Sequence, residues 1–192
     1  MSFIDIICKN SGSFSTNCYK YNNDALILGQ CGQCRETVYL YFDLQPDFYM
    51  SEIKNSRLIL YKLPICTANK TCRPYFSSSY CIYPLTDFFN IYSYHYSRPN
   101  LDYGNETCFI DNIHSGYTEI DITQITQNWH NGQLENKGLM IISPRNSFPL
   151  FYAGHDFKVV SMRPMLRVTY ENVPGLPIMK QVPCSVEINQ HF

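Results

Sequence analysis

Cysteine is the residue type with the most chemical potential in this chain, because a thiol can bind a metal, exchange disulfides or cross-link two molecules. Nine cysteines occur in 192 residues, a density typical of exported proteins with oxidised thiols. Because nine is odd, at least one thiol stays free or pairs with another molecule. The positions are Cys8, Cys18, Cys31, Cys34, Cys66, Cys72, Cys81, Cys108 and Cys184.

Cys31 and Cys34 have the two-residue spacing that zinc knuckles and thioredoxin-like redox sites share. A zinc site could take further thiolates from Cys66, Cys72 or Cys81, but there is no second Cys-x-x-Cys pair and no histidine at a matching spacing. A redox site would need a βαβ unit, which does not surround this pair. We therefore predict structural disulfides rather than a metal site. The candidates for intrachain pairing are Cys18, Cys31, Cys34, Cys66, Cys72, Cys81 and Cys108.

The remaining two cysteines, Cys8 and Cys184, lie beside strand-like segments near the two ends of the chain, Phe3–Ile7 and Ser185–Asn189. A terminal strand either forms an edge of its own sheet or pairs with a neighbouring subunit. In the second case, a nearby thiol would make the contact between subunits covalent. Cys8 and Cys184 are therefore the candidates for intermolecular disulfides.

No motif in the chain indicates an enzyme. The five histidines are widely spaced, and there is no H-E-x-x-H pair, no G-x-S-x-G turn and no phosphate-binding glycine loop. His155 and Asp156 could form an acid–base pair, although a surface turn is the simpler interpretation. Asp43, Asp111 and Asp121 lack the spacing of a recognised calcium loop, so structural calcium is the one cofactor that the sequence leaves open. We predict a non-catalytic protein.

Composition restricts the partners. Hydrophobic residues make up 45% of the chain and charged residues 16%, which indicates a packed domain. The formal net charge is −1 without a Lys/Arg cluster, which argues against nucleic acid as a partner. Apolar runs are too short for a membrane helix, so we predict no membrane partner.

The N-terminal residues do not resemble a signal peptide, because they have no basic leader and Asp5 interrupts the apolar run. A cysteine-rich sequence with no recognisable signal peptide has three explanations. A leader has been removed, or the thiols bind metal. Alternatively, the producing cell lyses and exposes its products to air, as with outer layers of bacterial spores. We expect an extracellular location, or one on a cell or spore surface.

The rest of the sequence, which must position the candidate functional residues, predicts an all-β protein. Tyr, Phe, Ile, Thr and Ser are abundant and strong helix formers are scarce. Ile120 and Ile122 alternate with acidic residues as in a strand, after which Ile122, Ile125 and Trp129 form the apolar face of a short helix near 124–129. Further strands are predicted at 3–7, 25–29, 37–43, 56–62, 139–143, 148–153 and 165–170.

The predicted organisation is one β-sandwich domain with additions at both ends. Residues 1–23 form an N-terminal strand and a polar loop, and residues 24–170 form an antiparallel two-sheet sandwich. Within the sandwich, residues 64–116 are predicted to be a long irregular insertion rich in Tyr and Cys. Residues 171–192 are predicted to be a Pro-rich linker with a C-terminal strand.

Five segments in order resemble DNRLRE-type domains, which are jelly-roll β-sandwiches of bacterial surface proteins related to carbohydrate-binding modules. They are Val38–Leu44, Ser56–Tyr61, Ile120–Thr123 with Trp129, Asn136–Leu139 and Arg163–Tyr170. The similarity spans roughly residues 24 to 170. It implies a jelly-roll-like fold and a non-catalytic role at a surface, and it does not identify a ligand. The family's name string is absent from this chain, and the insertion is unusually long.

Aromatic residues in the insertion are the other candidates for function, since tyrosine rings stack on sugars and are frequent in protein interfaces. The candidates for sugar binding or subunit contact are Tyr80, Tyr83, Tyr92, Tyr94 and Tyr96. Packing beneath a long loop is the alternative. Two functions follow: a structural subunit of an external layer or fibre that binds copies of itself, or a carbohydrate-binding module with a glycan partner.

Overall fold

A computed structural model describes residues 1–15, 21–31, 33–44, 51–64, 78–89, 99–112 and 114–172. These residues form two antiparallel β-sheets that pack face to face, with one α-helix. The predicted all-β two-sheet sandwich is confirmed. Within the described ranges, no helix is long and apolar enough to cross a membrane.

The strands, in chain order, are β1 (Ser2–Ile7), β2 (Asn10–Ser15), β3 (Tyr21–Asn22), β4 (Ala25–Cys31), β5 (Cys34–Tyr41), β6 (Ser51–Tyr61), β7 (Ser79–Pro84), β8 (Thr107–Ile110), β9 (Tyr117–Asp121), β10 (Leu139–Ile142), β11 (Leu150–Ala153) and β12 (Met165–Asn172). Helix α1 spans Thr123–His130, and short 3₁₀ turns span Tyr103–Asn105 and Val160–Met162.

The smaller sheet has four strands in the order β1-β12-β6-β9. The larger sheet runs β11-β4-β5-β10-β7-β8, with β2 on the other side of β5 and β3 beside β2. Strand β1 therefore belongs to the smaller sheet and β2 to the larger one. The sandwich thus begins before residue 24, where the sequence had placed its start. Gly29 lies where β4 passes from β11 to its hairpin with β5. Its φ of 115° favours glycine, and a Cβ at this position would lie only 2.5 Å from the Phe148 carbonyl oxygen.

The core lies between the sheets, because alternate residues of each strand point inward. Leu58 and Leu60 of β6 face Leu26 and Leu28 of β4 within one apolar cluster. Trp129 of α1 joins the same cluster and is 7% exposed, as the short apolar face of this helix predicts. The helix is too short to be stable alone, so its packing against β6 stabilises it.

Two segments that were predicted to be irregular contain strands. Strand β2 lies in the predicted polar loop, and its serines at 11, 13 and 15 are buried although they carry no apolar pattern. Strands β7 and β8 lie in the predicted insertion and extend the larger sheet. In β7, Tyr80, Ile82 and Pro84 are buried in alternation with more exposed residues, a period-two signal that the abundance of Tyr, Ser and Cys obscured.

A second, smaller core covers the outer face of the larger sheet. It contains Phe14, Tyr39, Leu85 and Met140. The ring of Phe89 lies 4.5 Å from those of both Phe14 and Tyr39, so the chain after β7 folds back over the sheet. Part of the insertion therefore packs as a layer on the sandwich.

Candidate functional site

Cys8 lies at the crossover between the two sheets and is buried, with 5% of its surface exposed. Its thiol lies 3.0 Å from the Asn10 carbonyl oxygen, and its backbone N–H donates to the Pro164 carbonyl. Burial raises the pKa of the Cys8 thiol to about 12. A buried, protonated thiol cannot reach a second chain in this conformation, which disfavours the predicted intermolecular disulfide at Cys8.

Cys81 and Cys108 form a disulfide between directly opposed residues of β7 and β8, with Cα atoms 4.0 Å apart. It joins two ends of the insertion across a sequence separation of 27 residues, which is worth about 3–4 kcal/mol of stability in the loop-entropy account. Cys34 is also disulfide-bonded, so its sulfur is not a thiolate ligand for zinc. Cys31 is its backbone partner in the β4–β5 hairpin. Outside the described residues lie Cys18, Cys66, Cys72 and Cys184.

Ser11, His155 and Asp156 form the arrangement closest to a catalytic triad, and no motif in the sequence predicted Ser11. The Ser11 hydroxyl lies 3.0 Å from Nδ1 of His155, and Nε2 of His155 lies 3.5 Å from the Asp156 carboxylate. However, Ser11 is 0% exposed, and its backbone N–H also donates to Nδ1 of His155. The hydroxyl cannot meet a substrate, so these contacts fasten β2 to the turn after β11.

Each aspartate considered for calcium lies beside a cationic side chain. Carboxylate oxygens lie 2.6 Å from Lys9 Nζ at Asp43 and 3.3 Å from Arg57 Nη2 at Asp121. The third, Asp111, is buried, and Lys62 Nζ lies 2.8 Å from it. Among the described residues, no three His, Cys, Asp or Glu side chains converge as a metal site.

Tyr80 is 2% exposed, and its hydroxyl donates to the Phe148 carbonyl at 2.8 Å. It therefore packs in the core, and its assignment as a sugar or interface residue is wrong. Tyr83 lies on the outer face of the larger sheet and is half-buried. The other candidates of this group, Tyr92, Tyr94 and Tyr96, lie outside the described residues.

Tyr83 forms an aromatic pair with the exposed ring of Tyr103. The centroids of the two rings lie 5.3 Å apart with an interplanar angle of 65°, and Tyr103 is 69% exposed. Burial and a hydrogen bond with the Glu106 carboxylate raise the pKa of Tyr83. Two aromatic rings with a carboxylate acceptor beside them are the groups that bind a sugar ring and its hydroxyls.

The turn that carries Tyr103 is held in place by a chain of side-chain hydrogen bonds. The Asp102 carboxylate accepts from the Gly104 backbone at 2.9 Å and from the Asn105 side chain at 2.7 Å. Asn128 of α1 donates to Asn105 at 2.6 Å, which connects the turn to the helix. Tyr103 is thus displayed from a fixed position.

Strand β1 is the edge of the smaller sheet, and no described residue pairs with its outer side. Its inner side pairs with β12 over the whole strand, and Arg167 of β12 binds Asp5 through two nitrogens at 2.7 and 2.8 Å. Phe3 is 66% exposed, and Ile7 is also exposed. The strand is therefore firmly held on one side, no described residue pairs with the backbone of its other side, and Phe3 and Ile7 lie on its solvent-facing surface.

Comparison with known proteins adds no identification. No family model matches this chain, and no curated protein matches it either.

Proposed function

We propose that this chain is a non-catalytic structural subunit of an external bacterial layer or fibre, possible sites being a cell or spore surface, and that copies associate through β1. The observation that carries the proposal is the outer edge of β1, with which no described residue pairs, together with the exposed side chains of Phe3 and Ile7. The resemblance of five sequence segments to DNRLRE-type domains, which implies a non-catalytic role at a surface, supports the same proposal.

Edge strands of soluble proteins are usually guarded against pairing by lysine, proline, a bulge or an inward charge. Strand β1 has no lysine, proline or glycine, and its one charged side chain, Asp5, is neutralised by Arg167. The opposite edge, β9, carries two acidic side chains, Glu119 and Asp121, that share the single cation of Arg57, so it keeps a negative charge that opposes pairing. An unguarded edge favours strand pairing between copies.

The test is sedimentation of the protein over a range of concentrations with reductant present, so that only non-covalent association is measured. Wild-type protein is expected to associate as its concentration rises. The double variant Phe3→Lys/Ile7→Lys is expected to stay monomeric, because two ammonium groups on the edge oppose pairing.

The matched control is Val160→Lys, which places a lysine on an exposed apolar residue outside the strands. It should associate like the wild type. A wild-type protein that is monomeric at every concentration, or a control that loses association equally, would contradict pairing through β1.

The pair formed by half-buried Tyr83 and exposed Tyr103 favours carbohydrate binding as a second candidate function. Calorimetric titration with soluble cello-, chito-, xylo- and manno-oligosaccharides tests it. Tyr103→Ala should weaken binding about tenfold or more, the loss of one aromatic contact, while Tyr117→Ala on β9 should leave affinity unchanged. Equal affinity of wild type and Tyr103→Ala for every bound sugar would exclude this site.

A further inference from the structure

The Cys81–Cys108 disulfide differs from a core disulfide in its position. It lies on the outer face of the larger sheet, where Cys108 is exposed, and β8 is the last strand of that sheet. No described residue pairs with the outer side of β8, where Ile110 is also exposed. The bond is therefore open to reagents from one side.

The direction of the bond decides which sulfur can react. Thiol–disulfide exchange proceeds by attack of a thiolate on one sulfur, and access to that sulfur governs the rate. Because Cys81 and Cys108 are directly opposed, their S–S bond runs across the strands, and the side of Cys108 away from Cys81 is the edge of β8 with which no described strand pairs. The corresponding side of Cys81 lies over β10, where Ile142 is its register partner.

We infer that Cys108 is a thiol-exchange site that accepts a cysteine thiolate from a second copy of this chain. The incoming thiolate forms a bond to the Cys108 sulfur, the bond to Cys81 breaks, and the Cys81 sulfur leaves with the electron pair and takes a proton from water. One disulfide replaces another, so the step needs no oxidant.

The thiolate donor that fits is Cys184 of a second copy, and this assignment rests on the proposed self-assembly. It directly precedes Ser185–Asn189, whose polar and apolar residues alternate as in a strand. A strand added to β8 would bring its opposed residue to about 4.5–5.5 Å from Cys108 between Cα atoms, within the range of a disulfide. Cys8, the described free thiol, is buried and cannot be the donor.

The first experiment uses the native, oxidised protein with reduced glutathione at mildly alkaline pH, acid quenching and peptide mapping by mass spectrometry. Glutathione is expected on Cys108, with Cys81 recovered as a free thiol. Cys8 serves as the internal control and should remain a free, unmodified thiol. Glutathione mainly on Cys81, or a bond that survives until denaturant is added, would overturn the inference.

The second experiment follows covalent multimers on non-reducing gels. Wild-type protein should form a ladder containing a Cys184–Cys108 cross-link, and both Cys184→Ser and the double variant Cys81→Ser/Cys108→Ser should lose it. A ladder joined through other cysteines would support assembly and contradict this site. A glutathione adduct on Cys108 without any ladder would retain the exchange site and contradict the assembly proposal.

Discussion

At the scale of single residues, burial separates side chains that look equivalent in the sequence. Tyr80 and Tyr103 both lie in the predicted tyrosine-rich insertion. Tyr80 is a core residue, whereas Tyr103 is the more exposed ring of its pair with Tyr83. Cys8 and Cys108 differ in the same way. Reactivity and binding require access, so the exposed member of each pair is the candidate for function.

Trp129 is a buried aromatic residue whose loss should cost much stability. Trp129→Ala removes a buried indole from the core cluster, and we expect the free energy of unfolding to fall by about 3–5 kcal/mol. Denaturant unfolding measures this, with Tyr103→Ala as the exposed aromatic control that should change stability by less than about 0.5 kcal/mol. A small effect of Trp129→Ala would show that the indole is dispensable for packing.

Asp5 should make a pH-dependent contribution to stability. Its hydrogen bond with Arg167 holds the pKa of the carboxyl below its usual value of 3.8. The unfolded chain therefore binds this proton more readily, so the stabilisation is complete above the unfolded pKa and is lost as pH falls through the folded pKa.

The Asp5→Asn variant tests this contribution. Because the ion pair is partly exposed, we expect Asp5→Asn to lower the free energy of unfolding by at most about 1 kcal/mol near neutral pH. Denaturant titrations between about pH 7 and pH 2 should show the difference between wild type and variant shrinking below about pH 4. A difference that stays constant to the lowest pH would refute the assignment.

At the scale of elements, α1 takes the place of a missing strand. Strand β9 pairs only with the second half of β6, from Arg57 to Tyr61. Along the first half, Gln127 donates to the Ile53 carbonyl at 2.8 Å, and a ring nitrogen of His130 lies 2.8 Å from the Ser51 carbonyl. The Ser56 N–H donates to the Thr123 hydroxyl at 2.9 Å. Helix side chains thereby satisfy backbone groups that a neighbouring strand would otherwise bond.

Gln127→Ala tests this substitute for strand pairing. The variant leaves the Ile53 carbonyl without this hydrogen bond, and we expect a loss of about 1–2 kcal/mol in the free energy of unfolding. Gln133→Ala, at an exposed position just after the helix, is the matched control and should be nearly neutral. Equal effects of the two changes in urea unfolding would mean that the Gln127 contact contributes little.

At the scale of the whole molecule, a buried polar cluster connects the two sheets. Lys62 follows β6 of the smaller sheet, and its Nζ forms an ion pair with the Asp111 carboxylate at 2.8 Å. Thr118 of β9 donates to Asp111 at 2.5 Å and contacts the Tyr152 hydroxyl of β11 at 3.0 Å. The cluster fixes the position of one sheet relative to the other.

Asp111→Ala should destabilise the domain by about 2–3 kcal/mol, because it removes a buried carboxylate and leaves the partly buried Lys62 ammonium with the Asn112 carbonyl but without its counter-charge. The comparison is Glu135→Ala, which removes the exposed partner of Lys137 and should cost less than about 1 kcal/mol. Thermal and urea unfolding measure both. If the two variants are equally stable, the buried pair does not hold the sheets together.

The sequence alone determined the features that depend on local pattern. Strands such as β4, β6 and β12 were predictable because their apolar residues repeat with the period of a sheet. Helix α1 was predictable because Ile122, Ile125 and Trp129 recur with the period of a helix. Each signal lies within a few residues, where the geometry of the backbone fixes which side chains share a face.

Only the tertiary structure decided features that depend on strands distant in the chain. The burial of Ser11 depends on His155, which lies 144 residues away, so no local pattern could predict β2 as a core strand. The pairing of Cys81 with Cys108 follows from the register of β7 and β8, and the exposure of Cys108 follows from the position of β8 at the sheet edge. Periodicity assigns a side chain to a face, whereas strand order is set by packing across the whole molecule, and strand order decides which cysteine and which tyrosine can meet a partner.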